Sequence, residues 1–240
     1  MSSMVPNITA TGLVVAFLPA LLVIGLMYRW RVGAGTAVYA TVRMLVQLLV
    51  IGYVLIYVFE SDSWPLIVAV LTLMIAVASW IAIRHLYRKD LAAYARALLA
   101  VGLPSLLILG LVTRAVIGVE PWFLPRFVVP LAGMIIAGAM NAVGLAAERF
   151  QAEMARGEEF LEARRAALRA SLIPIINSLF AVGLVALPGM MTGQILSGVS
   201  PLIAARYQIV VMTMLFGVAG MSSVVYLALQ ATKKGPRAGP

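Results

Sequence analysis

The chain has 240 residues, 63% hydrophobic and 11% charged, with a mean hydropathy of +1.04. Soluble domains carry roughly a quarter charged and about half apolar residues, so too few polar side chains are present to coat a water-exposed surface. A soluble globular protein is excluded, as is a disordered or disulfide-framed one, since there is no low-hydropathy tract and no cysteine. The net charge of +9 does not point to nucleic acid, because the 18 basic residues sit in short clusters between long apolar runs. In a membrane protein such clusters set orientation.

A spanning helix takes about 20 mostly apolar residues. Seven runs qualify, near 8–28, 36–59, 65–83, 97–118, 127–147, 171–196 and 207–229. No Lys or Arg precedes the first, so it lacks the basic start of a cleaved signal peptide and reads as a retained span. Trp30, Trp64, Trp80 and Trp122 fall at or near the expected interfaces. One set of alternate loops holds Arg29, Arg31, Arg43, Arg84, Arg88, Lys89, Arg96, Arg149, Arg156, Arg164, Arg165, Arg169, Lys233, Lys234 and Arg237. The other holds only Arg114, Arg126 and Arg206. The expectation is an all-α integral membrane protein with seven transmembrane helices, N-terminus outside and C-terminus cytoplasmic, forming a single transmembrane domain over 1–240.

Connections on the outer side are short, as in Glu60-Ser-Asp-Ser. The one long polar stretch is cytoplasmic, Glu148 to Arg169, with five of the chain's nine acids and five of its basic residues. Met154, Leu161 and Leu168 recur at a spacing of seven, which puts them on one helical face. Glu153/Arg156 and Glu162/Arg165 are placed for i,i+3 pairs. Gly157 interrupts the helix and leaves two short pieces. Such a stretch either lies on lipid headgroups or projects to grip a partner protein. Its near-balanced charge favours the partner.

Span six contains Leu187-Pro-Gly-Met-Met-Thr-Gly-Gln194. Pro188 removes a backbone donor and Gly189 follows it, so a helix crossing here kinks or breaks. Broken helices at membrane depth are tolerated where they are buried in protein or line a wet cavity, and transporters build sites from them. The alternative is a packing kink without a ligand. Met190, Met191, Thr192 and Gln194 beside the break favour a lined pathway. In span five, Gly138, Ala142 and Ala146 form a small-residue stripe that reads as interhelical packing. Asn141 beside it serves equally as glue or as a pathway group. Span two carries Arg43 and Gln47 one turn apart; Arg43 is close enough to the cytoplasmic edge to snorkel, which favours a structural or gating role over contact with cargo.

Absences narrow the function. The three lysines, at 89, 233 and 234, follow no phosphate-binding loop, so the chain has no P-loop of its own. The single histidine, His85, reads as an interface residue. No span holds Asp or Glu at its middle, which disfavours a proton relay or a carboxylate cage for a hard cation. What remains is a passive path, or one driven by a separate energised partner.

Four segments carry a family resemblance: Ala139-Met-Asn-Ala-Val-Gly-Leu145, Ala167-Leu-Arg-Ala-Ser-Leu-Ile-Pro-Ile-Ile-Asn177, Leu187-Pro-Gly-Met-Met-Thr-Gly-Gln-Ile-Leu-Ser-Gly198 and Arg206-Tyr-Gln-Ile-Val-Val211. The chain resembles the FetB-type permeases of ABC transporters, which include a bacterial iron-export permease and plant aluminium-tolerance permeases. Ala40-Thr-Val-Arg-Met-Leu-Val-Gln-Leu48 fits their second span.

The resemblance implies a permease of the cell inner membrane, pairing as a homodimer with a separate cytoplasmic ABC ATPase that binds the ATP. This chain binds no cofactor itself, is surrounded by lipid and takes no nucleic acid. The 148–169 loop then becomes the coupling helix, with Met154, Leu161, Glu162, Arg165 and Leu168 facing the ATPase. Glu162-Ala163 looks like the start of the importer coupling signature, but no Leu-Gly-Ala turn follows it. The implied cargo is iron or another metal, free or complexed, and some relatives are linked to nucleotide-sugar movement. Ferric iron takes carboxylate and carbonyl oxygens, whereas these spans offer Asn, Gln, Thr, backbone and thioether; Fe(II), a softer ion or a ligand-wrapped metal suits them better. Asn141, Met190, Met191, Thr192 and Gln194 are the expected pathway, with Arg43 and Gln47 in support. A stand-alone channel and a non-transporting membrane scaffold are the rival readings.

Overall fold

A computed structural model describes residues 8–61, 63–86 and 90–230. Asp62, Arg88, Lys89, Lys233, Lys234 and Arg237, used above, lie outside the described residues. Among the described residues every regular element is helical. The elements are α1 (Ala10–Ala16), α2 (Leu18–Arg29), α3 (Ala34–Glu60), α4 (Trp64–Ile83), α5 (Leu91–Gly110) with a π-helical continuation over Leu111–Ile117, α6 (Pro125–Ala155), α7 (Phe160–Ala181), α8 (Gly189–Leu196) and α9 (Pro201–Ala228). Among the described residues six stretches are long and apolar enough to cross a membrane: Ala10–Arg29, Ala34–Glu60, Trp64–Ile83, Leu91–Ile117, Pro125–Ala155 and Pro201–Ala228. The run at 171–196 is not among them, because it is two helices rather than one.

The chain groups into two units that divide after Ser61. In the first, α1 gives way to α2 at Phe17, with Pro19 in the first turn of α2. The turn from α2 to α3 closes through left-handed backbone at Arg31 and Gly33. Helix α3 carries Arg43 and Gln47 one turn apart.

The second unit is a bundle in which α6 packs against α4, α5, α7 and α9. Lipid tails are as apolar as leucine, so helices in a membrane associate through close packing of small residues. Helix α6 supplies them: Ala132, Ala139 and Ala146 are fully buried, and Ala142 nearly so. A Cβ at Gly144 would stand 3.3 Å from the Ala82 carbonyl oxygen, so α4 approaches α6 backbone to backbone. Across the neighbouring interface the Tyr94 hydroxyl donates to the Ala76 carbonyl at 3.2 Å. Side-chain hydroxyls of Thr72, Ser79, Thr113 and Thr213 donate to carbonyls one turn back, which satisfies them without water. The outward face of α5 and its π-helical continuation is more than half exposed at Leu103, Leu106, Leu107 and Leu111, a surface made for lipid.

Two local outcomes differ from the sequence expectation. The break in the sixth run begins six residues before Pro188. Val182 leaves the helix with extended backbone, and Gly183 turns left-handed at φ 85°. The Ala181 carbonyl accepts from the N–H of Val185 at 2.8 Å and of Ala186 at 3.1 Å, while the Gly183 N–H donates to Ala186 at 3.0 Å. Freed backbone groups are thus re-paired locally, as membrane depth requires, and Pro188 serves as the N-cap position of α8. The second difference concerns 148–169. These residues are the abutting ends of α6 and α7, joined at Arg156–Glu159 where Gly157 takes φ 86°. Gly157 does interrupt the helix, but what it separates is two long helices. Met154 therefore lies on α6 while Leu161 and Leu168 lie on α7, so the three share no single helical face. The buried stripe of α7 is Ala163, Ala167 and Ser171, small residues that let it lie close to its neighbours.

Candidate functional site

Helices α6 and α9 run side by side, and Gly138 of α6 lies close against Leu215 and Val218 of α9. A cavity of 600 Å³ is walled by Phe127, Leu131 and Met134 of α6, Met190 and Gln194 of α8, and Ile203 and Tyr207 of α9. Another, of 170 Å³, is walled by Asn141 and Leu145 of α6, Ser171, Pro174 and Ser178 of α7, and Ala219 of α9. At 100° per residue, Met134, Gly138, Asn141 and Leu145 fall on one face of α6. The two cavities therefore border one face of α6, the first completed by α8 and α9 and the second by α7 and α9.

The broken sixth run positions polar groups of these cavities. Residues four apart on a helix share a face, so Met190 and Gln194 enter the large chamber together. Met191 turns instead into a separate cavity of 350 Å³, beside Gln208, Met212 and Thr213 of α9. The two thioethers serve different spaces. The Thr192 hydroxyl donates to the Pro188 carbonyl at 3.1 Å and closes the first turn of α8. Asn141 lies about 10 Å along α6 from Met134 and also borders a 350 Å³ cavity with Arg84, His85 and Glu148. Arg43 and Gln47 belong to the first unit, whereas the residues lining all four cavities come from the second.

At the α6–α7 turn, Phe150 and Phe160 meet edge to face with centroids 5.6 Å apart. Glu153 is buried, paired with Arg149 and, at 3.6 Å, with Arg156. Glu162 and Arg165 form the second i,i+3 pair. Leu161 is 46% exposed beside them, Leu168 is half-buried and Met154 likewise. His85 ties α4 to α6: its Nε2 lies 3.1 Å from the Gly144 carbonyl oxygen, which can only accept, so Nε2 carries the proton.

Two amide oxygens, Oε1 of Gln194 and Oε1 of Gln208, are buried with no hydrogen-bond partner among the described residues. Gln208 escaped the sequence reading although a signal was present, since it is the sole amide in the apolar run 207–229. Arg126 and Tyr207, on the walls of the large chamber, were likewise passed over because each sits at a helix start, where interfacial placement explains them. Among the described residues no three His, Cys, Asp or Glu side chains gather to hold a metal ion. The cavities offer amide, thioether, phenol and guanidinium groups between apolar walls.

A family model described as "Uncharacterised protein family (UPF0014)" matches residues 10–234. The chain is 30% identical over 236 residues to "Probable iron export permease protein FetB" of Escherichia coli K12, covering 91% of this chain and 89% of that one. It is 32% identical over 208 residues to "Protein ALUMINUM SENSITIVE 3" of Arabidopsis thaliana, covering 79% and 74% respectively. To "UPF0014 membrane protein STAR2" of Oryza sativa subsp. japonica it is 34% identical over 221 residues, covering 84% and 75%. No solved structure matches the chain. With apolar helices long enough to span a bilayer and a family match across nearly its whole length, the chain is a membrane protein belonging to the UPF0014 family.

Proposed function

We propose that the whole chain, 1–240, acts as one permease domain of an ABC-type transporter in the cell inner membrane, working as a homodimer with a separate cytoplasmic ATPase that binds the ATP. Its cargo is iron or another metal, free or complexed, moved outward. The cargo and its direction carry over from the E. coli relative, which is described as a probable iron export permease. The basic residues of the alternate loops support an outside N-terminus and a cytoplasmic C-terminus. A seventh crossing is supplied by α7 and α8 in series. Residues 171–181 and the eight residues of α8 rise about 16 and 12 Å, together close to the roughly 30 Å of hydrocarbon.

One observation carries this reading above the others. Helix α6 is continuous for 31 residues, from the α6–α7 turn through Asn141 to Met134 in the large chamber. A partner gripping the turn therefore holds one end of a rigid rod whose other end walls that chamber. The turn offers an exposed leucine ringed by both signs of charge, a surface for a protein. The chain carries no P-loop of its own, so an ATP-driven cycle would draw its energy through such a grip.

The test is co-purification of the ATPase with the tagged chain from its own host membrane, alongside flux in proteoliposomes. Replacing Leu161 and Leu168 with Asp is expected to abolish co-purification and ATP-driven flux while the chain still elutes as a folded species. Retained co-purification, or vectorial flux by the chain alone, would overturn the proposal and favour a stand-alone facilitator.

A further inference from the structure

We propose that the cargo occupies the large chamber as a soluble anion, a metal held in a net-negative chelate, with Arg126 recognising its charge. This rests on the permease reading and narrows its substrate class.

Among the described residues lining that 600 Å³ chamber Arg126 is the only charged one, and it is exposed at the start of α6. It takes part in none of the ion pairs formed among the described residues. A bare cation would meet a guanidinium there and no carboxylate, so it would be repelled and left without hard oxygen ligands. An anion would find the planar, permanently charged fork that binds carboxylates two-pronged. The phenol of Tyr207 stands on the same wall. Gln194 adds a buried Oε1 with no partner, an acceptor that a hydroxyl on the chelate would satisfy. The volume lies within the range of small-molecule sites, ample for a metal wrapped in hydroxycarboxylate. Met134 and Met190 add apolar wall beside these polar groups. The chamber is also where the π-helical segment ends: Ile117, its last residue, lines the wall. Such π segments recur at functional sites.

The experiment is calorimetry on the full chain in phosphatidylcholine nanodiscs, titrated with ferric citrate, with citrate alone and with ferrous chloride. Parallel discs contain phosphatidylglycerol. Ferric citrate is expected to bind, to weaken at least tenfold in Arg126→Gln and to recover most of that loss in Arg126→Lys. Ferrous ion is expected to show no binding that depends on Arg126. The inference is overturned by ferric citrate binding that ignores Arg126→Gln, by no ferric citrate binding, by citrate alone binding as tightly as the chelate, or by phosphatidylglycerol occupying the site in its place. ATPase co-purification, measured on the same preparations, separates the two readings. A chain that holds its ATPase but ignores the chelate sinks only the cargo inference, while a chain that binds the chelate through Arg126 but holds no ATPase sinks the permease.

Discussion

Gly138 of α6 and Leu215 of α9 meet so closely that a Cβ at 138 would stand 3.2 Å from Leu215 Cδ2. Both residues line the 170 Å³ cavity, and if solute passes along this face of α6 an apolar contact there would close the path by excluding water. Leu215 Cδ2 is the far end of a flexible side chain, so Gly138→Ala should cost less than about 1 kcal/mol, while Gly138→Val should overpack by about 1–3 kcal/mol. Both variants should fold and transport poorly, and Leu215→Ala should leak cargo without ATP. Thermal unfolding in detergent and flux in proteoliposomes check this; a valine variant with full flux would take the contact off the path.

A second close approach behaves differently because its neighbour is backbone. A Cβ at Gly144 would lie 3.3 Å from the Ala82 carbonyl oxygen and 3.6 Å from Cε1 of His85. The carbonyl has little room to yield, and the His85 hydrogen bond to Gly144 anchors the same spot. Gly144→Ala should therefore cost about 1–3 kcal/mol by forcing α4 from α6. His85→Ala removes only the hydrogen bond, about 1 kcal/mol. A lower melting temperature in that order, alanine at 144 below alanine at 85, is the expected result.

Much of this architecture is legible in the amino-acid sequence. The apolar runs gave helices because about 20 apolar residues have no other stable form in lipid. Of the stripe Gly138, Ala142 and Ala146, Gly138 lies close against α9 and the two alanines are buried, as small residues permit. Hydropathy could not locate the turn at Val182–Pro188, because Leu184 and Val185 are as apolar as the helices around them. It was likewise blind to the division of Met190 from Met191, since adjacent residues differ by 100° around an axis whose bearing only tertiary packing sets. The heptad of Met154, Leu161 and Leu168 misled for a related reason: periodicity presumes one uninterrupted helix, and Gly157 ends it.

At the α6–α7 turn, Glu153 is buried between Arg149 and Arg156. Exposed pairs are worth little, but this carboxylate is shielded and serves two guanidinium groups that reach outward. Glu153→Ala should cost about 1 kcal/mol and loosen the end of the rod. The expected readout is a modest drop in melting temperature with a larger drop in ATP-driven flux. An unchanged flux would mean the turn transmits no motion.

Gln208 gives the most informative single substitution, because stability and transport should move in opposite directions. Its side chain is 5% exposed, its Oε1 has no partner among the described residues, and it faces the cavity shared with Met191 and Met212. A buried acceptor left unpaired costs about 1–3 kcal/mol, and an apolar group of similar shape removes that cost. Gln208→Leu should therefore raise the melting temperature. If the amide is retained to coordinate or guide a passing solute, the same variant should transport several-fold more slowly, whereas Gln208→Asn should keep part of the flux. A leucine variant that is both more stable and fully active would make Gln208 a packing residue and remove the cavity beside Met191 from the transport route.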